Sequence, residues 1–261
     1  MRKPLIIANW KMNTTLADAI ILATSVKNTV GELDIDVVLC PPYVWLCPLS
    51  ELLERAPKNI ELGAQNMWYT DEGPNTGEIS PQMIKSLAKY VILGHSERRS
   101  SLDEENELIN KKLHAALKHH LAPILCIGEE EKISHQKLSH EKLDFIDELS
   151  KCLDGVNSED AEKVIICYEP IWAISRGTEE SKNPADGAYV NLAIERIRGY
   201  LTSKYHQNTA ERIKVIYGGS VDEDNIREFL YQPEIDGAMV GGASLKVKHF
   251  IKICKEAAGR D

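Results

Sequence analysis

Two hydrophobic periodicities alternate along the whole chain. Short β-rich runs recur at LIIANW (5–10), DVVLCP (36–41), IELGAQ (60–65), YVILGH (90–95), APILCIG (122–128), KVIICYE (163–169), IKVIYGG (213–219) and DGAMVGG (236–242). Several are apolar on both faces, without the alternation of a half-exposed strand. That pattern suits a parallel sheet covered by helices. Between the runs lie stretches of helical spacing, among them LADAIILATSVKNTV (16–30) and ENELINKKLHAALKHH (105–120). Eight strands alternating with helices in about 250 residues is the arithmetic of a closed α/β architecture, the (β/α)8 barrel with parallel strands inside and helices outside. An open doubly wound sheet is the rival. It usually carries a glycine-rich dinucleotide fingerprint at its first βα turn, and ANWKMN (8–13) is no such fingerprint. With no linker or shift of composition, the chain reads as a single barrel domain over residues 1–261.

Two connections exceed a simple βα turn. QNMWYTDEGPNTGEIS (65–80) follows the third run and holds Met67, Trp68 and Tyr69, large apolar side chains that need cover. Residues 129–162 follow the fifth run, open on Glu129-Glu130-Glu131 and read as a solvated helix pair.

Charge and cysteine usage narrow the function. The formal net charge is -9 and no dense Lys/Arg block occurs, which argues against nucleic acid or an anionic membrane as partner. Met1-Arg2-Lys3 has the look of a signal-peptide start, but the apolar run after it stops at Asn9, too short for a secretory core. No segment approaches transmembrane length. The six cysteines lie scattered without a C-x-x-C pair and read as buried thiols of a reducing, cytoplasmic compartment. The eight histidines lack metal-site spacing.

The residues just past each apolar run carry the chemistry. Asn9 and Lys11 follow the first, His95 the fourth, Glu169 the sixth, Gly218-Gly219-Ser220 the seventh, and Gly241-Gly242 the eighth. A parallel barrel gathers all of these around one mouth. A lone carboxylate at a strand end is more often an ion-pair partner. In company with a histidine, a lysine and glycine turns, and with no metal ligands beside it, it suits proton removal from a carbon next to a carbonyl. The charge then developing on oxygen needs donors already in place, and His95, Lys11 and Asn9 are such donors. Ser96-Glu97-Arg98 reads as a first helical turn, so free N–H groups beside His95 disfavour imidazolium and leave a neutral donor. YGGS (217–220) and VGGASLK (240–246) offer backbone N–H groups to a phosphate, the second opening directly into a helix.

Assembled, these residues resemble the triosephosphate isomerase family over essentially the whole chain, in its motif order: NWKMN (9–13), GHSERR (94–99), CIGE (126–129), YEPIWAI (168–174), YGGS (217–220) and VGGASL (240–245). The resemblance implies a TIM barrel and an aldose–ketose isomerisation of dihydroxyacetone phosphate and D-glyceraldehyde 3-phosphate through an enediolate, in glycolysis and gluconeogenesis, without cofactor or metal. It implies Glu169 as base, His95 as electrophile, Lys11 as cationic substrate contact, Asn9 as neighbouring donor and Glu97 as a carboxylate near the lysine. Ser175, Ser220, Gly241 and Gly242 match the phosphate grip. The loop around Thr76 resembles a homodimer arm that would also cover Trp68 and Tyr69. Cys126 reads as a core thiol, not a nucleophile. Two rivals stay open at this level: another phosphosugar isomerase or lyase, which would need its own acid–base pair, and a non-catalytic scaffold, which would tolerate loss of Glu169.

One stretch departs from the family. Where its lid usually reads Gly-Thr-Gly-Lys, this chain has Ser175-Arg176-Gly177-Thr178 followed by Glu179-Glu180. Serine keeps the backbone N–H but loses glycine's access to positive φ. The expected outcome is altered lid kinetics or KM, measured by comparing closure rate and phosphate affinity with a chimera carrying Gly-Thr-Gly-Lys. Identical values would end the idea.

Overall fold

The computed structural model describes residues 2–140, 142–174 and 185–259. Eight strands form one closed barrel in sequence order: β1 (Leu5–Asn9), β2 (Asp36–Cys40), β3 (Ile60–Ala64), β4 (Tyr90–Leu93), β5 (Ala122–Ile127), β6 (Ile165–Tyr168), β7 (Lys214–Tyr217) and β8 (Gly237–Val240). All eight runs read from the sequence are strands. Each strand stops before its sequence run does. The leftover residues, among them Gln65, His95, Glu169 and Gly241, are the ones that line the mouth.

The parallel register explains why the runs are apolar on both faces. β1 pairs with β2 through Ile7↔Val38 and with β8 through Ile7↔Met239, closing the ring. With a side-chain period of two, one set of residues then points inward. Leu5, Ile7, Val38, Cys40, Ile92, Ile124, Cys126, Ile165, Cys167, Ile216 and Met239 form this inner core. Their strand neighbours, such as Ile6, Ala8, Val37, Leu39 and Val91, face outward into a second, larger core beneath the helices. Both faces are dry, so neither needs polar residues.

The helix over Leu16–Val30 follows its sequence reading. Thr15 and Asp18 make a reciprocal capping box, and Ala19, Leu22, Ala23, Val26 and Val30 form its buried stripe. The second reading, 105–120, is a helix over Asn106–Lys118. The charged stretch 129–162 differs from the solvated pair expected of it. It holds three short helices, His135–His140, Asp144–Cys152 and Ser158–Ala161, and buries Leu138, Phe145, Leu149 and Cys152, as well as Glu129 at its head. Sparse apolar positions among many charges hid an amphipathic face. Of the cysteines, all six are free and five are buried; Cys47 is exposed, against expectation, because it lies on the outer side of the helix Tyr43–Leu53. Among the described residues, no helix is long and apolar enough to cross a membrane.

The long loop after β3 is anchored within this chain. Met67 is fully buried, and the Lys112 ammonium lies 5.6 Å from the Trp68 ring centre. Lys112 is itself fully buried and binds Glu104 at 2.6 Å and Asn66 Oδ1 at 3.0 Å, while Arg98 reaches Glu104 at 2.7 Å. Burial alone would raise the Glu104 carboxyl, but hydrogen bonds from Arg98 and Lys112 outweigh it and hold it below its ordinary value. This network ties the loop after β3 to the helix carrying Arg98, three residues past His95. Replacing Glu104 with alanine would strand a buried ammonium. The expected loss of stability is about 3–5 kcal/mol by urea denaturation. A loss under about 1 kcal/mol, the size of an exposed pair, would contradict this burial.

Candidate active site

The mouth of the barrel is built from strand ends. At the end of β1, buried Asn9 accepts the Lys11 backbone N–H at 3.0 Å through Oδ1. This holds Lys11 at φ +52°, a left-handed conformation unusual outside glycine. Gln65, one residue past β3, donates from Nε2 to the carbonyls of Lys11 and Cys40, each at 2.9 Å. So fixed, the Lys11 ammonium reaches Glu97 Oε1 at 2.6 Å.

His95 caps the helix Ser96–Leu102, as the motif indicated. Its Nδ1 accepts the Glu97 backbone N–H at 3.3 Å. An accepting Nδ1 leaves the proton of a neutral ring on Nε2. Nε2 lies 3.5 Å from Glu169 Oε1.

Glu169 is only 1 % exposed, directly after β6. Its Oε2 accepts the Ser96 N–H at 3.2 Å, while Oε1 is buried and accepts no hydrogen bond among the described residues. Glycine makes room for it twice. A side chain at Gly128 would collide with the Glu169 backbone, and a Cβ at Gly218 would lie 2.8 Å from Glu169 Cγ and 2.5 Å from Cys167 Sγ. Beneath the carboxylate, one ligand-competent atom from each of Cys126, Cys167 and Glu169 lies within 4.8 Å of the others. The expectation of a carboxylate with no ligand-competent neighbour therefore does not hold. Cys126 is buried, and burial pushes its thiol well above the ordinary value, in keeping with a core role.

The segment after Glu169 is anchored from one side by Glu129. That carboxylate accepts the Tyr168 hydroxyl at 2.7 Å, the Tyr189 hydroxyl at 2.9 Å and Trp172 Nε1 at 2.9 Å. From the other side Ser220 donates to the Ala173 carbonyl, through Oγ at 2.8 Å and N–H at 3.2 Å. Both Ser220 donors are thus engaged, not free for an anion. Gly241 and Gly242 follow β8 and lead into a 3-10 turn, Gly242–Leu245, before the helix Val247–Ala258; the direct opening into an α-helix expected there is absent. The nearest atom to a Cβ built on Gly241 is Lys11 Cε at 3.8 Å, and nothing lies within 4 Å of one on Gly242. The ammonium and the glycine turn therefore flank open space. Ser175 and the rest of the lid, with its second hinge at Thr178–Glu180, lie outside the described residues.

Asn9, Lys11, Glu97, His95 and Glu169 are thus joined by a chain of contacts, with Gly241 beside Lys11. The sequence reading missed Gln65 and Glu129. Gln65 closes the run IELGAQ at the strand-end position that marked the others. Glu129 was masked by its two glutamate neighbours.

A family model described as triosephosphate isomerase matches residues 4–257. The chain is 43% identical to the triosephosphate isomerase of Dehalococcoides mccartyi, covering 99% of this chain and 98% of the relative. It is 44% identical to that of Herpetosiphon aurantiacus, over 98% and 99% of the two chains. Identity to that of Carboxydothermus hydrogenoformans is also 44%, with coverage of 98% and 99%.

Proposed function

Since the chain belongs to the triosephosphate isomerase family, we propose that Glu169, His95, Lys11 and Asn9 perform its reaction within a single catalytic barrel. That reaction interconverts dihydroxyacetone phosphate and D-glyceraldehyde 3-phosphate. The observation that carries the assignment is the 3.5 Å approach of Glu169 Oε1 to His95 Nε2, in a histidine whose Nδ1 already accepts an N–H.

Glu169 takes a proton from the hydroxymethyl carbon of dihydroxyacetone phosphate. The electron pair left behind forms the enediolate, and the carbonyl oxygen becomes negative. His95 meets that charge with Nε2–H, a donor fixed before the charge appears. It then passes its proton to that oxygen and recovers one from the neighbouring hydroxyl. Glu169 returns its proton to the adjacent carbon, giving the aldehyde with no net change in atoms or charge. Burial of Glu169 keeps water from competing for the proton.

Lys11 and the Gly241–Gly242 turn bind the dianion, and Asn9 and Gln65 position Lys11. Glu97 orients the lysine ammonium and, through its N–H, the ring of His95. Ser220 joins the phosphate contacts once the Ala173 carbonyl releases its donors, coupling substrate binding to movement of the segment after Glu169; Ser175 would complete the grip. The free thiols fit a reducing, cytoplasmic setting.

Glu169→Ala is expected to lower kcat by about 10²–10⁴-fold, the usual share of a general base, with little change in KM. A coupled assay of triose phosphate interconversion measures it, and unchanged activity would remove Glu169 from the role of base.

The loop bearing exposed Thr76 serves as the arm of a homodimer. Exposed Met12, Val44, Met83 and Leu102, from the segments that follow β1 to β4, supply apolar surface for it. Sedimentation at assay concentration is expected to give a dimer, and Thr76→Glu a monomer. A monomeric wild-type protein would contradict the arm.

A further inference from the structure

The geometry points to a second binding property of the barrel: a site for a soft, thiophilic divalent cation of the Zn²⁺ class, formed by Cys126, Cys167 and Glu169 directly beneath the mouth. Cys126 and Cys167 are register partners on β5 and β6, so both thiols project inward at the same level. Glu169 is two residues past Cys167 and points to the same side of the strand. One ligand atom from each residue lies within 4.8 Å of the other two, and all three residues are buried. A tetrahedral centre with metal–sulfur bonds of about 2.3 Å needs its sulfurs about 3.8 Å apart, so shifts of roughly 0.5 Å per side chain complete it.

A second observation is independent of the spacing. Among the described residues, Glu169 Oε1 is a buried carboxylate oxygen that accepts no hydrogen bond; His95 Nε2, at 3.5 Å, stands on its other side. Two sulfurs and one oxygen select Zn²⁺ or Cd²⁺ over Mg²⁺ or Ca²⁺, which demand oxygen ligands. Burial raises both thiols, so each keeps its S–H until a cation displaces the proton. On binding, two protons leave to solvent and two metal–sulfur bonds replace the S–H bonds. The third bond uses Glu169 Oε1. The bound cation would therefore inhibit the isomerase reversibly, a consequence that rests on the reading of Glu169 as base.

Titration of the full-length enzyme with Cd²⁺ tests this by sulfur-to-metal charge-transfer absorption, with activity followed in the same samples. One equivalent should produce the band and abolish activity, and a chelator should restore it. Cys167→Ala should bind at least about 10-fold more weakly, the loss of one good ligand contact. Cys47→Ala, which removes the exposed thiol, should bind as wild type. No band in the wild-type protein, or an undiminished band in Cys167→Ala, would overturn the site. X-ray absorption of the Cd²⁺-loaded wild-type enzyme decides the matter without any variant: two sulfur neighbours plus oxygen support the site, and any other sulfur count overturns it. A full band with unchanged activity would confirm the metal site and remove Glu169 as base.

Discussion

Closure of the parallel sheet is the constraint on which everything else rests. Once β1 hydrogen-bonds to β8 as well as β2, no strand edge is left over, and all eight carboxyl ends face one side. Side chains 86 residues apart in sequence then become neighbours, as Lys11 and Glu97 do, and Glu169 comes to 3.5 Å from His95. The same closure divides the apolar residues into an inner filling and an outer layer under the helices, so that a one-residue slip in any strand would exchange the two sets. Position at the mouth is therefore as rigid as the core itself.

That rigidity sustains an arrangement unfavourable in isolation. Glu169 sits buried above a layer of thiols and aliphatic side chains, with His95 Nε2 3.5 Å from one of its oxygens. Desolvation of a carboxylate is costly, and the Ser96 N–H, at the start of a helix, offsets it directly. Lys11 is likewise held in a left-handed backbone conformation by Asn9 and Gln65. Strain of this kind persists only where the surroundings over-determine the geometry. Here three strands, two glycine gaps and the Glu104–Lys112 network do so.

The segment after Glu169 is held from two sides. Glu129 gathers two tyrosines and a tryptophan on one side, and Ser220 holds the Ala173 carbonyl on the other. Bonds to the Glu129 carboxylate contribute about 1.5–3 kcal/mol each and the neutral Ser220 bonds about 1 kcal/mol, so the Ser220 side is the one a dianion can exchange. The Glu169 carboxylate thus stands at the boundary between the fixed barrel and a segment held by exchangeable contacts.

Much of this was legible in the chain itself. Runs such as KVIICYE and YVILGH announce strands buried on both faces, because only a doubly covered parallel strand tolerates such continuous hydrophobicity. The polar residue that ends each run announces the mouth, because chemistry needs a place where the chain leaves the core. Asn9, Lys11, His95, Glu169 and Gly241 were found in that way. Gln65, Glu129, the buried Lys112 and the partnership of Cys126 with Cys167 were not. Their environments are set by residues from other strands and helices, and neither register nor closure is written in any local pattern. The sequence determined which residues could line the mouth; the tertiary structure decided which of them touch, since contact between distant segments is fixed only when the ring of strands closes.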